Sequence, residues 1–176
     1  MIFKISRAIG VAAAVFWAGA GLAQEVSDNR IAANTDWSVF VESDPTECWA
    51  VSAPTETVNT RDGNTVSVNR GDIRLIVFYR PSESVNGQVM FAGGYPFADG
   101  STVSLEVGGT TFQMFTDDET AWPATPEDDA RFVAAMKRGA NAVVVGRSSR
   151  GTTTTDTFSL LGFTAAVEEA ENRCSS

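Results

Sequence analysis

The chain has 176 residues, 43% hydrophobic and 20% charged, with no histidine, two cysteines and a formal charge of −9 at pH 7. That is enough for one domain with an apolar core, and it excludes collagen-like, low-complexity and disordered chains. Without histidine there is no Ser-His-Asp or Cys-His catalysis and no histidine-ligated zinc, copper or haem.

The first segment reads as an address. Lys4 and Arg7 precede an apolar run over residues 8–20, and Gly21-Leu22-Ala23 places small residues at the cleavage positions before Gln24. This is the layout of a secretory signal peptide over residues 1–23. The run is shorter than the roughly 20 residues that span a bilayer, and no cysteine follows the cut, so no stable membrane anchor is expected after cleavage. Residues 24–176 then form a single exported, periplasmic domain. Loss of Lys4 and Arg7 takes its formal charge to −11. Such a domain repels phosphate backbones and anionic lipid heads, so nucleic acid is not an expected partner. Its basic residues are Lys137 and ten arginines. The planar arginine fork suits fixed pairs with carboxylates.

Strands and tight turns dominate the middle of the chain. Trp37, Val39 and Val41 alternate with Ser38, Phe40 and Glu42. Leu75, Val77 and Tyr79 continue the face of Ile73, with Arg74, Ile76 and Phe78 opposite. Val103, Leu105 and Val107 alternate with Thr102, Ser104 and Glu106, and Phe112 and Met114 with Thr111 and Gln113. This period of two predicts half-buried strands. Asp62-Gly63-Asn64, Asp99-Gly100 and Gly108-Gly109 fall between such runs and tolerate the positive φ of hairpin turns. One helix interrupts them: Thr125 caps, Pro126 opens the first turn, and Glu127, Asp128 and Asp129 complement the positive helix end. Phe132, Val133 and Met136 form its buried side, and Gly139 is expected to stop it. The β-branched runs 142–145 and 152–157 add two more strands.

The chain ends on a second helix. Leu160, Phe163, Val167, Ala170 and Cys174 recur at spacings of three and four, while Glu168, Glu169, Glu171 and Asn172 fall between them. Cys174 therefore faces the core. An even cysteine pair in an exported chain is expected to be a disulfide, Cys48–Cys174, tying this helix to an early strand. The alternative, a reactive thiol, has no C-x-x-C spacing behind it. The architecture expected is mainly all-β: an antiparallel β-sandwich or jelly-roll-like single domain with one short internal helix and a C-terminal helix.

Chemistry-bearing motifs are sparse. The segment 146–151 (GRSSRG) fits neither a G-x-S-x-G elbow nor a phosphate loop and reads as a turn. The acid triplets 117–119 and 127–129 lack the ligand spacing of a calcium loop and read as a solvated face, so no metal and no cofactor are expected. Arg70-Gly71-Asp72 spells the adhesion tripeptide but occurs by chance in roughly one chain in thirty of this length. Trp49, Tyr95, Phe97 and Trp122 are the aromatics that could line a sugar or peptide groove. Of these, Tyr95, Phe97 and Trp122 sit in glycine- or proline-marked positions, which makes them the expected binding surface.

An ordered set of short segments resembles the invasion-associated locus B family. It comprises Asp36-Trp37-Ser38-Val39, Glu47-Cys48-Trp49, Arg70-Gly71-Asp72-Ile73 and Gly94-Tyr95-Pro96-Phe97 with Gly100-Ser101. It continues with Ala121-Trp122, Met136-Lys137-Arg138-Gly139, Arg150-Gly151-Thr152 and Asp156-Thr157-Phe158-Ser159-Leu160 with Gly162-Phe163. The resemblance covers residues 34–174 and implies an exported cell-envelope protein of Gram-negative, chiefly alphaproteobacterial cells, linked in pathogenic members to host-cell entry. It carries over no catalytic residues. The expectation is a non-catalytic module that binds an envelope protein or glycan. Its rivals are a carbohydrate-active enzyme with paired carboxylates and a secreted host-directed adhesin.

Overall fold

The computed structural model describes residues 29–44 and 46–175. The expected leader, residues 1–23, lies outside them. The chain runs through β1 (Arg30–Asn34), β2 (Trp37–Ser43), β3 (Thr46–Ser52), β4 (Glu56–Arg61), β5 (Asn64–Thr65) and β6 (Arg74–Arg80). After a short 3-10 turn come β7 (Val85–Ala92), β8 (Thr102–Val107), β9 (Thr110–Asp117), β10 (Thr120–Trp122) and α1 (Pro126–Met136). It closes with β11 (Asn141–Arg147), β12 (Thr153–Ser159) and α2 (Phe163–Cys174).

The runs with period two are strands, and their apolar faces point inward. Trp37 and Val39, then Leu75, Val77 and Tyr79, then Val103, Leu105 and Val107 are all buried. Gly108 and Gly109 both take positive φ, 57° and 81°, and close the tight β8–β9 hairpin. Two positive φ values in a two-residue loop match the right-handed twist of the strands it joins.

All twelve strands form one antiparallel sheet in the order β1-β2-β3-β6-β7-β10-β9-β8-β11-β12-β4-β5. The facing layers of a sandwich are thus made by one sheet folding over itself. Phe91 on β7 meets Phe158 on β12 edge to face, with ring centroids 6.2 Å apart. Trp37 on β2 donates its indole Nε1–H to the carbonyl of Ser159 at 2.9 Å and packs on Phe163. These contacts join strands far apart in the sheet order, so the core lies between its two halves.

Both expected helices form. Thr125 caps α1, its hydroxyl accepting from the Asp128 N–H. Phe132 and Met136 are buried against the sheet and Val133 partly so. Asp129, expected on a solvated acidic face, is buried instead. Gly139 does not act through a left-handed conformation; a side chain there would collide with Val107 and press on Leu160. On α2 the stripe Phe163, Val167, Ala170 and Cys174 is buried, as is Leu160 just before it. Cys174 is bonded to Cys48 on β3, with the two Cα atoms 5.9 Å apart.

Candidate functional site

Position 156 carries a charge on an inward-facing register. On β12, Thr154, Asp156 and Phe158 share the buried face, so a carboxylate lies among apolar rings. A charge there needs a partner of equal quality. Arg70 supplies it. Nη1 and Nη2 donate to the two carboxylate oxygens, each at 2.7 Å, while Nε and Nη2 donate to the Gly93 carbonyl at 3.0 and 2.8 Å. The side chains are 6% and 0% exposed. The fork geometry uses both carboxylate oxygens at once, which a lysine cannot do.

This pair anchors one end of a cleft of about 760 Å3. The arginine's guanidinium lies 4.9 Å from the centre of the Tyr95 ring. The Tyr95 hydroxyl shares a 2.6 Å hydrogen bond with Thr154. Burial raises the Tyr95 pKa, partly offset by Thr154 and Arg70, so the phenol stays neutral. One wall is the segment after β5, residues 66–70. It is held where the Gly71 N–H donates to the Gly94 carbonyl at 2.8 Å. Gly94 has φ +70°, and a Cβ on it would sit 2.7 Å from the Gly71 oxygen, so this approach requires glycine.

The opposite wall is the β11–β12 turn, including Ser148, Ser149, Arg150 and Thr152. Of the turn expected over 146–151, Gly146 and Arg147 belong to β11 and residues 148–151 make the connection to β12. Ser148 Oγ accepts from the Thr152 N–H, and Arg61 Nη2 donates to Thr152 Oγ1 at 2.7 Å. Glu119 joins the lining. With the Arg70 charge neutralised by Asp156, Arg61 and Arg150 against Glu119 leave the cleft positive on an acidic protein.

The expected binding aromatics separate. Tyr95 lines this cleft. Trp122 lines a second cavity. Phe97 is 5% exposed and belongs to the core, a correction to the expected surface. Its ring packs between Phe91 and Tyr95, and Gly93 and Gly146 leave it room, since a Cβ on either would come within 3 Å of it. Trp49 stacks on Phe40 across β3 and β2. Arg70-Gly71-Asp72 cannot act as an adhesion loop, because the Arg70 side chain is consumed in the buried pair.

Beside the second cavity lies the buried acid of α1. β10 ends at Trp122, and its ladder with β7 stops at the Ala121–Phe91 pair. The Val89 N–H on β7 is instead taken by Asp129 Oδ1 at 2.8 Å. Burial raises the Asp129 pKa to about 6, against the lowering effect of that hydrogen bond and with added repulsion from Asp128. The folded chain therefore holds this proton more tightly than the unfolded chain, whose carboxyl titrates near 3.8. The folded state gains relative stability below that range and loses it as pH rises to about 6. Asp129→Asn keeps an acceptor for Val89 and removes the charge. Urea unfolding should find it more stable than the parent by about 3 kcal/mol at pH 8 and close to equal near pH 4. A variant weaker at both values would mean that the charge is compensated in the fold.

No curated protein and no solved structure matches the chain. The described geometry spans the same ordered segments on which the sequence resemblance rests, and the model of the invasion associated locus B (IalB) protein family matches residues 37–171. The chain belongs to that family.

Proposed function

We propose that the chain is exported to the periplasm and acts there as a non-catalytic binding module of the cell envelope, with its ligand seated in the Tyr95 cleft. One observation carries this reading: the Arg70–Asp156 pair at the cleft is fully engaged and buried, so it builds a fixed shape and keeps Asp156 from acting as a free acid. A two-carboxylate hydrolase needs one acid to protonate and another to attack or activate water. Glu119 is the sole carboxylate among the lining residues. Hydroxyls, guanidiniums and one ring on a preformed wall are instead the makings of recognition. The family is not a known enzyme family. In this reading the host-cell entry linked to pathogenic relatives stems from what the module holds at the envelope.

A photoreactive amino acid at Ser67 or Ser149, on facing walls of the cleft, tests the proposal in cells, with Ala165 on α2 as control. Adducts of discrete mass are expected from the first two positions and not from the third. They should be lost when Arg61→Ala and Arg150→Ala are combined. The tagged chain should be periplasmic with Gln24 as its first residue. Adducts equal at Ala165, none from a folded and exported chain, or a captured species released as cleaved product would each overturn it.

A further inference from the structure

The second cavity, about 370 Å3, lies where β9 and β10 meet the start of α1. Phe115 and Trp122 are direct cross-strand partners in that pair, on the sheet's outer face, and Phe115 is 50% exposed. Large aromatics left open on a strand usually find cover. Two carboxylates share the lining, those of Asp117 and Asp129, and no lysine or arginine does. Asp129 is 7% exposed, and only its Oδ1 is used, by Val89. Among the described residues no hydrogen bond reaches Oδ2, and the atom is not sealed in the core but open to the cavity that the side chain lines.

A carboxylate with one oxygen engaged and the other open to a cavity has room for a donor, and two carboxylates without a cation favour positive charge. Aromatic faces add to this, since their ring quadrupoles attract cations. A neutral hydroxyl ligand would satisfy Oδ2 but leave both charges uncompensated. A quaternary ammonium would bring charge but no N–H. We propose that this cavity is a binding site for an organic cation carrying N–H donors, a guanidinium or primary ammonium. It would donate to Asp129 Oδ2 and pair with Asp117, flanked by Phe115 and Trp122. The site is separate from the Tyr95 cleft and does not depend on the reading of that cleft.

Agmatine is the probe, titrated into 15N-labelled chain 24–176 at pH 7.5. The readout is the Trp122 indole Nε1–H resonance, assigned by its absence in Trp122→Phe. Agmatine should move it saturably, and 1-butanol should not move it. Tetramethylammonium should act at least about tenfold more weakly, because it cannot make the charge-assisted hydrogen bond. Asp129→Asn should weaken agmatine about tenfold while the Val89 amide keeps its position. Phe115→Ala should weaken it about threefold. Combining Arg61→Ala with Arg150→Ala should change nothing, which separates failure of this site from failure of the cleft. Tighter binding of a blocked arginine peptide than of agmatine would assign the cation to a protein partner's side chain. Equal shifts from agmatine and tetramethylammonium chloride, or unchanged agmatine binding in Asp129→Asn, would overturn the proposal.

Discussion

Replacing Arg70 by methionine is expected to lower the free energy of unfolding by about 3–5 kcal/mol, because it leaves the Asp156 carboxylate buried without its partner. Five donated contacts go with it, two to Asp156, two to the Gly93 carbonyl and a longer one to Asn59 Oδ1 at 3.5 Å. That is a large share of the roughly 5–15 kcal/mol that typically holds a domain together. The double variant Arg70→Met with Asp156→Leu should recover more than half of the loss, since an apolar pair of similar volume carries no desolvation cost. Urea titrations of the parent, both single variants and the double variant measure the coupling directly. The double variant separates two roles: it should remain folded yet lose the photo-adducts at Ser67 and Ser149, because the Tyr95 ring no longer rests on a fixed guanidinium. A loss below about 1 kcal/mol for Arg70→Met would show that water reaches Asp156 in the folded chain, and would remove the case for a rigid cleft.

Much of the fold was readable from local pattern. The strands around Trp37, Leu75, Val103 and Phe112 alternate cleanly because one face is core and the other is not. The cap at Thr125 and the glycine pair 108–109 are local chemistry that needs no long-range information. β4 escaped notice for a physical reason: its sequence, ETVNTR, lies near the sheet edge with little buried on either face, so no alternation is imposed. The continuity of the sheet also escaped, because periodicity reports which face is buried and not which strand lies beside it. The glycine-marked loop that singled out Tyr95 lines the cleft, and the same marking misled for Phe97. There the glycines make room for an inward ring rather than an exposed turn.

The two missed acids did leave signals. Asp156 falls in step with Phe158 on an alternating strand, and Asp129 falls in step with Phe132 and Met136 on a helical stripe. A charge in phase with a core face is a buried charge in search of a partner. What the sequence hid was the partner's identity. Arg70 is 86 residues from Asp156, and Val89 offers a backbone donor only because β10 stops short.

Removing the disulfide by the paired substitution Cys48→Ala and Cys174→Ala should cost about 5 kcal/mol. The bond closes a loop with a sequence separation of 126, and loop entropy in the unfolded chain grows with the logarithm of that length. For a domain of this size the melting temperature should fall by about 10–20 °C. Locally the change removes little, since alanine fills most of the space and Phe163, Ala166, Val167 and Ala170 still seat α2. Two mechanisms are therefore in competition. If the bond acts on the unfolded chain, hydrogen exchange in α2 should speed up together with the core strands as overall stability falls. If the bond is what keeps α2 docked, its last turn should exchange first while β6 and β7 remain protected. The apolar stripe favours the first outcome. Both cysteines are buried, so reductant should act on the folded protein only as fast as it opens. A paired variant within about 1 kcal/mol of the parent would mean that the unfolded chain already holds its ends together. A loss near 5 kcal/mol, about the size expected from loop entropy, would make full stability reachable only where thiols are oxidised. That would tie the proposed periplasmic address to the fold itself, independently of the leader.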